Sequence, residues 1–146
     1  EQIPDAFRAR LASIPLQPLY RSIGEFLLLR TDERFQAEKA PDGTPWAPLS
    51  PATLAQKSTD KILQESGTRG GLRGSIAYDA TDERLRVGTN KVYGRVHQRG
   101  IGRRSFVETR RSFAAIPARP YLGTSKRDRA IILEDVAAYF QRRAQG

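Results

Sequence analysis

The sequence predicts an α+β fold: a small, mainly antiparallel sheet flanked by a long N-terminal helix and a C-terminal helix, with an extended arginine-rich loop. Three observations predict it. Leu19, Ile23, Phe26 and Leu27 recur at helical spacing, and so do Ile132, Val136, Tyr139 and Phe140. Between these segments, Ile76 and Tyr78, then Leu85 and Val87, alternate with small or polar residues at the period of two expected of half-buried strands. Four prolines within residues 41–51 and two within 116–122 exclude continuous helix or central strand there.

Taken in order, residues 4–14 read as a short helix, with Pro4 near its start and Pro15 ending it. The long helix runs from Pro18 to about Ala40, with Phe35 extending its apolar surface. Gly24 inside it costs roughly 1 kcal/mol relative to Ala, so its presence points to close packing. Asp42-Gly43 marks a turn, and Trp46, the only tryptophan, is expected to anchor the proline-rich loop to the core. Ser50 caps a short helix that opens on Pro51 and runs to about Lys57. Residues 75–79 and 84–87 form strands joined by Ala80-Thr81-Asp82-Glu83. Residues 93–98 fit either a short helix or a third strand. Residues 116–122 fit an edge strand or extended segment that positions the last helix. Ser125 and Asp128 form an acidic variant of the capping box, and Arg142 and Arg143 suit the negative end of that helix.

A chain of 146 residues is long enough to bury a core, and we expect one domain over 1–146. It has no cysteine, which excludes disulfides and thiolate metal sites. No run of about 18 apolar residues is present, so no membrane span is expected. The first residue is Glu1 rather than Met, so some N-terminal sequence is expected to precede this numbering, and no signal peptide is visible.

The net charge of +9 is unevenly placed. Residues 69–129 hold 15 Lys and Arg against 5 Asp and Glu, whereas the other residues hold 10 against 11. Of those 15 cations, 13 are arginines, whose planar fork suits carboxylates and phosphates. The richest part holds Arg99, Arg103, Arg104, Arg110 and Arg111 with Glu108 as its one acid. So basic a segment points to a polyanion or an acidic protein surface as partner.

Catalytic chemistry finds little support. His97 is the only histidine, so neither a zinc site nor a Cys-His nucleophile is available, and a structural hydrogen-bonding role is expected for it. Asp82 with Glu83 and Glu134 with Asp135 are adjacent and do not converge as an acid–base dyad. Gly67 to Gly74 carries four glycines and two arginines but lacks the Gly-Lys-Ser/Thr ending of a phosphate loop, so a flexible surface loop is expected. No catalytic residue, cofactor or metal is expected. Nucleic-acid binding would be limited to non-specific phosphate contact, because no helix sets basic residues beside base-reading Asn or Gln.

Several ordered pieces together resemble the phage virion morphogenesis family, the tail-completion proteins of Mu-like and related tailed phages. They are the helix end at Phe35; Asp42-Gly43-Thr44-Pro45-Trp46 with Pro48-Leu49; Ile62-Leu63; Ser66-Gly67; and Leu72-Arg73-Gly74-Ser75-Ile76. Val87-Gly88-Thr89, Tyr93 with Val96-His97-Gln98-Arg99-Gly100, and Ile116-Pro117-Ala118-Arg119-Pro120-Tyr121-Leu122-Gly123 complete the set. Thr68-Arg69-Gly70-Gly71 looks like an addition between two of these pieces.

The resemblance implies a non-enzymatic component of the virion neck, made in the host cytoplasm, that completes the tail and joins it to the head. It implies a homo-oligomeric, hexameric ring among other neck and tail proteins: connector or stopper, tail terminator and tail tube. In such a ring Arg99, Arg103, Arg104, Arg110 and Arg111 are the expected interface loop, with Glu25, Asp32, Glu33 and Glu38 as acidic partners. The alternative is a non-specific DNA-contacting protein that uses the same loop transiently.

Overall fold

The computed structural model describes residues 4–64, 71–102, 104–106, 111–113 and 115–144. Its elements are α1 (Asp5–Ala12), α2 (Gln17–Ala37), α3 (Pro51–Gln56), a 3-10 turn at Arg73–Ser75, β1 (Ile76–Ala80), β2 (Leu85–Thr89), α4 (Gly94–Arg99), β3 (Arg104–Phe106), β4 (Arg111–Phe113) and α5 (Lys126–Ala144). The fold is α+β, as the periodicities predict. The two sheets are separate antiparallel pairs, β1 with β2 and β3 with β4. The ambiguous segment at 93–98 is helical, and the stretch expected to be an irregular arginine loop contains the paired strands β3 and β4.

Helix α2 ends three residues before the predicted Ala40. Glu38 adopts the left-handed conformation (φ 56°) and turns the chain, after which Ala40 N–H donates to the Thr44 carbonyl at 2.8 Å. Pro41 disfavours helical geometry in the residue before it, which is consistent with the early stop. Ser50 caps α3 through its side-chain oxygen, which accepts from Thr53 N–H at 3.2 Å.

The β1–β2 hairpin lies on α2, and Gly24 is where they meet. A Cβ at this position would sit 2.6 Å from Cδ2 of Tyr78. The ring is held in place by its hydroxyl, which donates to Glu25 at 2.7 Å. At the hairpin turn, Asp82 accepts from Gln17 N–H at 2.8 Å, covering one of the free amides at the start of α2.

Two apolar clusters hold these elements. In one, Leu19, Ile23 and Tyr139 pack with Leu85, Ile132, Val136 and Phe140, joining α2, β2 and α5. In the other, Phe35, Trp46, Ile62, Leu72 and Tyr121 bring the end of α2 together with three irregular segments. Phe35 and Tyr121 are 0% and 1% exposed, and Phe35 meets Trp46 edge-on at 5.5 Å between ring centroids. Burying each such ring contributes about 1.5–3 kcal/mol. Trp46 thus anchors the proline-rich loop as expected, and its indole N–H donates to the Pro120 carbonyl at 2.8 Å.

In the first turn of α5, Asp128 is 0% exposed. It completes the predicted capping box, with Ser125 N–H donating to its carboxylate at 2.8 Å and its own N–H donating to Ser125 Oγ at 2.9 Å. The same carboxylate accepts from Arg34 at 2.7 Å and from Arg30 at 2.8 Å, both on α2. Arg34 also donates to the carbonyls of Tyr121 and Gly123, at 3.2 and 2.7 Å. One carboxylate and one guanidinium therefore tie α2, α5 and the segment before α5 together.

Burial alone would push the Asp128 pKa up, but the hydrogen bonds from Ser125 and Arg30 outweigh it and hold the carboxyl below its ordinary value. Asp32 is likewise held down, chiefly by its hydrogen bond with Arg73.

Removing the Asp128 carboxylate leaves Arg34 buried without its anion. Asp128→Ala should cost about 3–5 kcal/mol in the free energy of unfolding, read from urea denaturation. A second prediction follows from the depressed carboxyls. The unfolded chain binds these protons more readily than the folded one, so their contribution is complete above the ordinary carboxylate range. It is lost as pH falls through the folded values. Stability should therefore fall with acid below about pH 4. Denaturation midpoints across pH should show a shallower decline in Asp128→Asn.

Candidate functional site

Residues 93–100 and 116–123, on either side of the arginine segment, fold against each other. Helix α4 follows β2 closely because Gly94 leaves room: a Cβ there would lie 2.5 Å from Thr89 Cγ2 and 2.8 Å from the Tyr121 hydroxyl. That hydroxyl donates to the Gly94 carbonyl at 3.0 Å. Four residues on, the Gln98 side chain acts as a substitute strand. Its Oε1 accepts from the N–H groups of Tyr121 and Leu122, both at 3.0 Å, and its Nε2 donates to the Leu122 carbonyl at 3.0 Å. Arg119 N–H donates to the His97 carbonyl at 2.7 Å, so the segment is held along most of its length.

Pro117 and Pro120 cannot donate, which keeps this segment from joining a regular ladder. The Arg119 side chain supplies further ties. It is buried, and its guanidinium donates to the carbonyls of Ala47 and Pro48 at 2.8 and 2.9 Å. Trp46, Arg119, Gln98 and Tyr121 thus lock the proline-rich loop, the 116–123 segment and α4 into one base.

The chain leaves this base at Gly100 and Ile101. Gly100 has φ 71°, and a Cβ would lie 2.7 Å from Ala118 N and 2.8 Å from the Ile116 carbonyl oxygen. Ile101 and Ile116 exchange two backbone hydrogen bonds of 2.8 Å each. The antiparallel register continues without slippage into β3 and β4, where Arg104 pairs with Phe113, Ser105 with Ser112 and Phe106 with Arg111.

The predicted interface arginines are distributed over this unit. Arg99 is the exposed last residue of α4. Arg104 opens β3 and Arg111 opens β4, where the register places positions 104 and 111 on the same face. Arg103 and Arg110 lie outside the described residues. The four predicted acidic partners all sit on α2 or at its end, and each has a bond within the chain. Glu25 accepts from Tyr78, Asp32 from Arg73 at 2.5 and 2.9 Å, Glu33 from Arg30, and Glu38 from Ile62 N–H at 2.8 Å.

His97 has a buried Nδ1 without a hydrogen-bond partner among the described residues. The hydrogen bonds of this residue within the described structure are made by its backbone, with the carbonyl accepting from Arg119 N–H. Burial lowers its pKa, and the charges of Arg119 and Lys57 add to the effect. Residues 67–70 of the Gly67–Gly74 loop, with Thr68, Arg69 and Gly70 of the apparent addition, fall outside the described residues, whereas Arg73 and Gly74 belong to the 3-10 turn. Among the described residues, no group of three His, Cys, Asp or Glu side chains is placed to hold a metal ion, and no helix is long and apolar enough to cross a membrane. The site can offer directional hydrogen bonds and positive charge to a partner surface.

Sequence reasoning located the base blocks but missed the roles of Gln98 and Arg119. A side chain that substitutes for backbone partners leaves no periodic signature.

The model of the phage virion morphogenesis family matches residues 2–141. Two proteins of Haemophilus influenzae are similar. The Mu-like prophage FluMu G protein 1 is 33% identical over 110 residues, covering 73% of this chain and 66% of its own length. The Mu-like prophage FluMu G protein 2 is 42% identical over 72 residues, covering 48% of this chain and 47% of its own length. The aligned stretches therefore span about two thirds and about half of these relatives. No solved structure matches.

Gly100→Ala tests whether the base sets the hairpin's exit. A side chain there meets backbone rather than a yielding side chain, and it must also hold a positive φ. Thermal and urea unfolding should show a loss of about 2–4 kcal/mol, larger than the helix-interior effect of Gly.

Proposed function

The chain belongs to the phage virion morphogenesis family, and from that premise we propose that it is a structural protein of the virion neck, which completes the tail and joins it to the head. The observation that carries this reading is the arginine hairpin on its locked base. Five arginines against one acid lie within residues 99–111, and no chemistry of the described residues accounts for them. Placing such a charge on a preordered mount lowers the entropy lost on docking. In this reading the chain acts without catalysis or cofactor as one subunit of a hexameric ring. A ring needs two different faces per subunit, one docking on the other. The hairpin, with Arg99, Arg103, Arg104, Arg110 and Arg111, is one face or the contact to the connector or stopper, tail terminator or tail tube.

The net charge of +9 favours a second reading, in which the hairpin grips DNA passing through the neck. Phosphate contact of this kind weakens steeply with salt, but so does docking on an acidic protein. Purified neighbouring neck proteins and a short duplex, offered separately, distinguish the two. Binding to DNA alone would favour the second reading.

If these arginines serve docking rather than the core, reversing all five to glutamate should leave the monomer folded, with unfolding free energy within about 1 kcal/mol of wild type. Electron microscopy of lysates carrying this variant should show separate filled heads and tails. Normal joining would remove the hairpin from the mechanism.

A further inference from the structure

We propose that a groove between α2 and α5 receives the β3–β4 hairpin of a second copy of this chain. The inference rests on the ring reading and supplies the face that the hairpin meets. The groove has a volume of about 440 Å³ and is lined by Phe26, Ile131, Ile132 and Ala138, with Glu134 and Asp135 beside them. Ile131 remains 37% exposed and the neighbouring Leu133 67%.

Charge selects the occupant. In a chain of net charge +9, residues 22–29 of α2 and 130–141 of α5 carry three acids, Glu25, Glu134 and Asp135, and no cation. The cations of α5 sit at its ends, Lys126, Arg127 and Arg129 at one and Arg142 and Arg143 at the other. The middle of this face is therefore apolar and acidic. The other acids of α2 are engaged within the chain, as described above. Glu134 is exposed and has no hydrogen bond or ion pair among the described residues, and Asp135 accepts only from Ser22, at 2.9 Å.

The hairpin has the complementary composition. Arg-Ser-Phe occurs twice, at 104–106 and 111–113. The antiparallel register sets position 104 opposite 113 and 106 opposite 111, so two arginine and two phenylalanine positions share one face. Two aromatic residues suit the apolar floor and two arginines suit Glu134 and Asp135. The hairpin's base packs with the Phe35 cluster, whereas the groove is built on the Leu19 cluster, so the two surfaces stand on different parts of the core. Such a pair makes a head-to-tail contact that closes into a ring or continues as a filament.

The test uses phage particles from cells whose only source of this chain is the variant. Hairpin reversal (Arg104→Glu with Arg111→Glu) and groove reversal (Glu134→Arg with Asp135→Arg) should each lower the yield of joined particles at least about tenfold. Glu134→Arg alone, which breaks no bond among the described residues, should act in the same direction, and thermal unfolding should show each variant folded. Both reversals in one chain restore complementarity and should return joining to within about threefold of wild type. A doubly reversed chain as defective as either parent overturns the proposal, and so does normal joining by the groove variant. Probing purified wild-type particles for the chain separates the two readings. Its absence from the particles defeats the neck assignment itself, whereas its presence without rescue defeats only the groove.

Discussion

The buried carboxylate of Asp128 is the constraint on which the other elements depend. It starts α5, fixes that helix against α2, and holds the Arg34 guanidinium where it reaches the carbonyls of Tyr121 and Gly123. Removing a carboxylate from water is costly, and attraction to one cation seldom recovers the cost unless further hydrogen bonds satisfy the remaining lone pairs. Here two arginines and the Ser125 backbone do so. Lysine at position 34 would offer a compact charge without the planar fork that bonds to a carboxylate and two carbonyls at once. The arrangement therefore sets the position of 121–123, and through Tyr121 it sets the position of α4.

From that point the site follows by direct connection. Tyr121 seats its hydroxyl on Gly94, Gln98 bonds the backbone of Tyr121 and Leu122, and Arg119 reaches back to the proline-rich loop. The hairpin emerges from a region in which each irregular segment is held by a side chain. A pair of strands that starts from so fixed a base has its starting direction set by that base.

Much of the fold was legible in the sequence because its signals are local. The two long helices were visible as apolar stripes, α3 from Ser50-Pro51, the α5 cap from Ser125 and Asp128, and the β1–β2 pair from alternation at 76–78 and 85–87. Gly24 was readable as a close approach, though not that Tyr78 fills it. What escaped depends on residues far apart in the chain. The partners of Asp128 lie about 95 residues away on α2, and no spacing rule links them. Strands β3 and β4 escaped for a different reason. Each is a short Arg-Ser-Phe piece without a longer apolar alternation, so the charge dominated the reading. The acids were legible as acids, but their bonds within the chain were not.

The prolines of 116–122 have a consequence for what the protein avoids. An exposed extended segment ordinarily presents a row of free donors and acceptors to which any passing strand can add. Here positions 117 and 120 have no donor, the Pro120 carbonyl is taken by Trp46, and the amides of Arg119, Tyr121 and Leu122 are taken by His97 and Gln98. Most of the edge's donors are thereby withheld from strand addition, so contact through its backbone is disfavoured and recognition along it falls to side chains, which unlike a bare backbone can tell one partner from another.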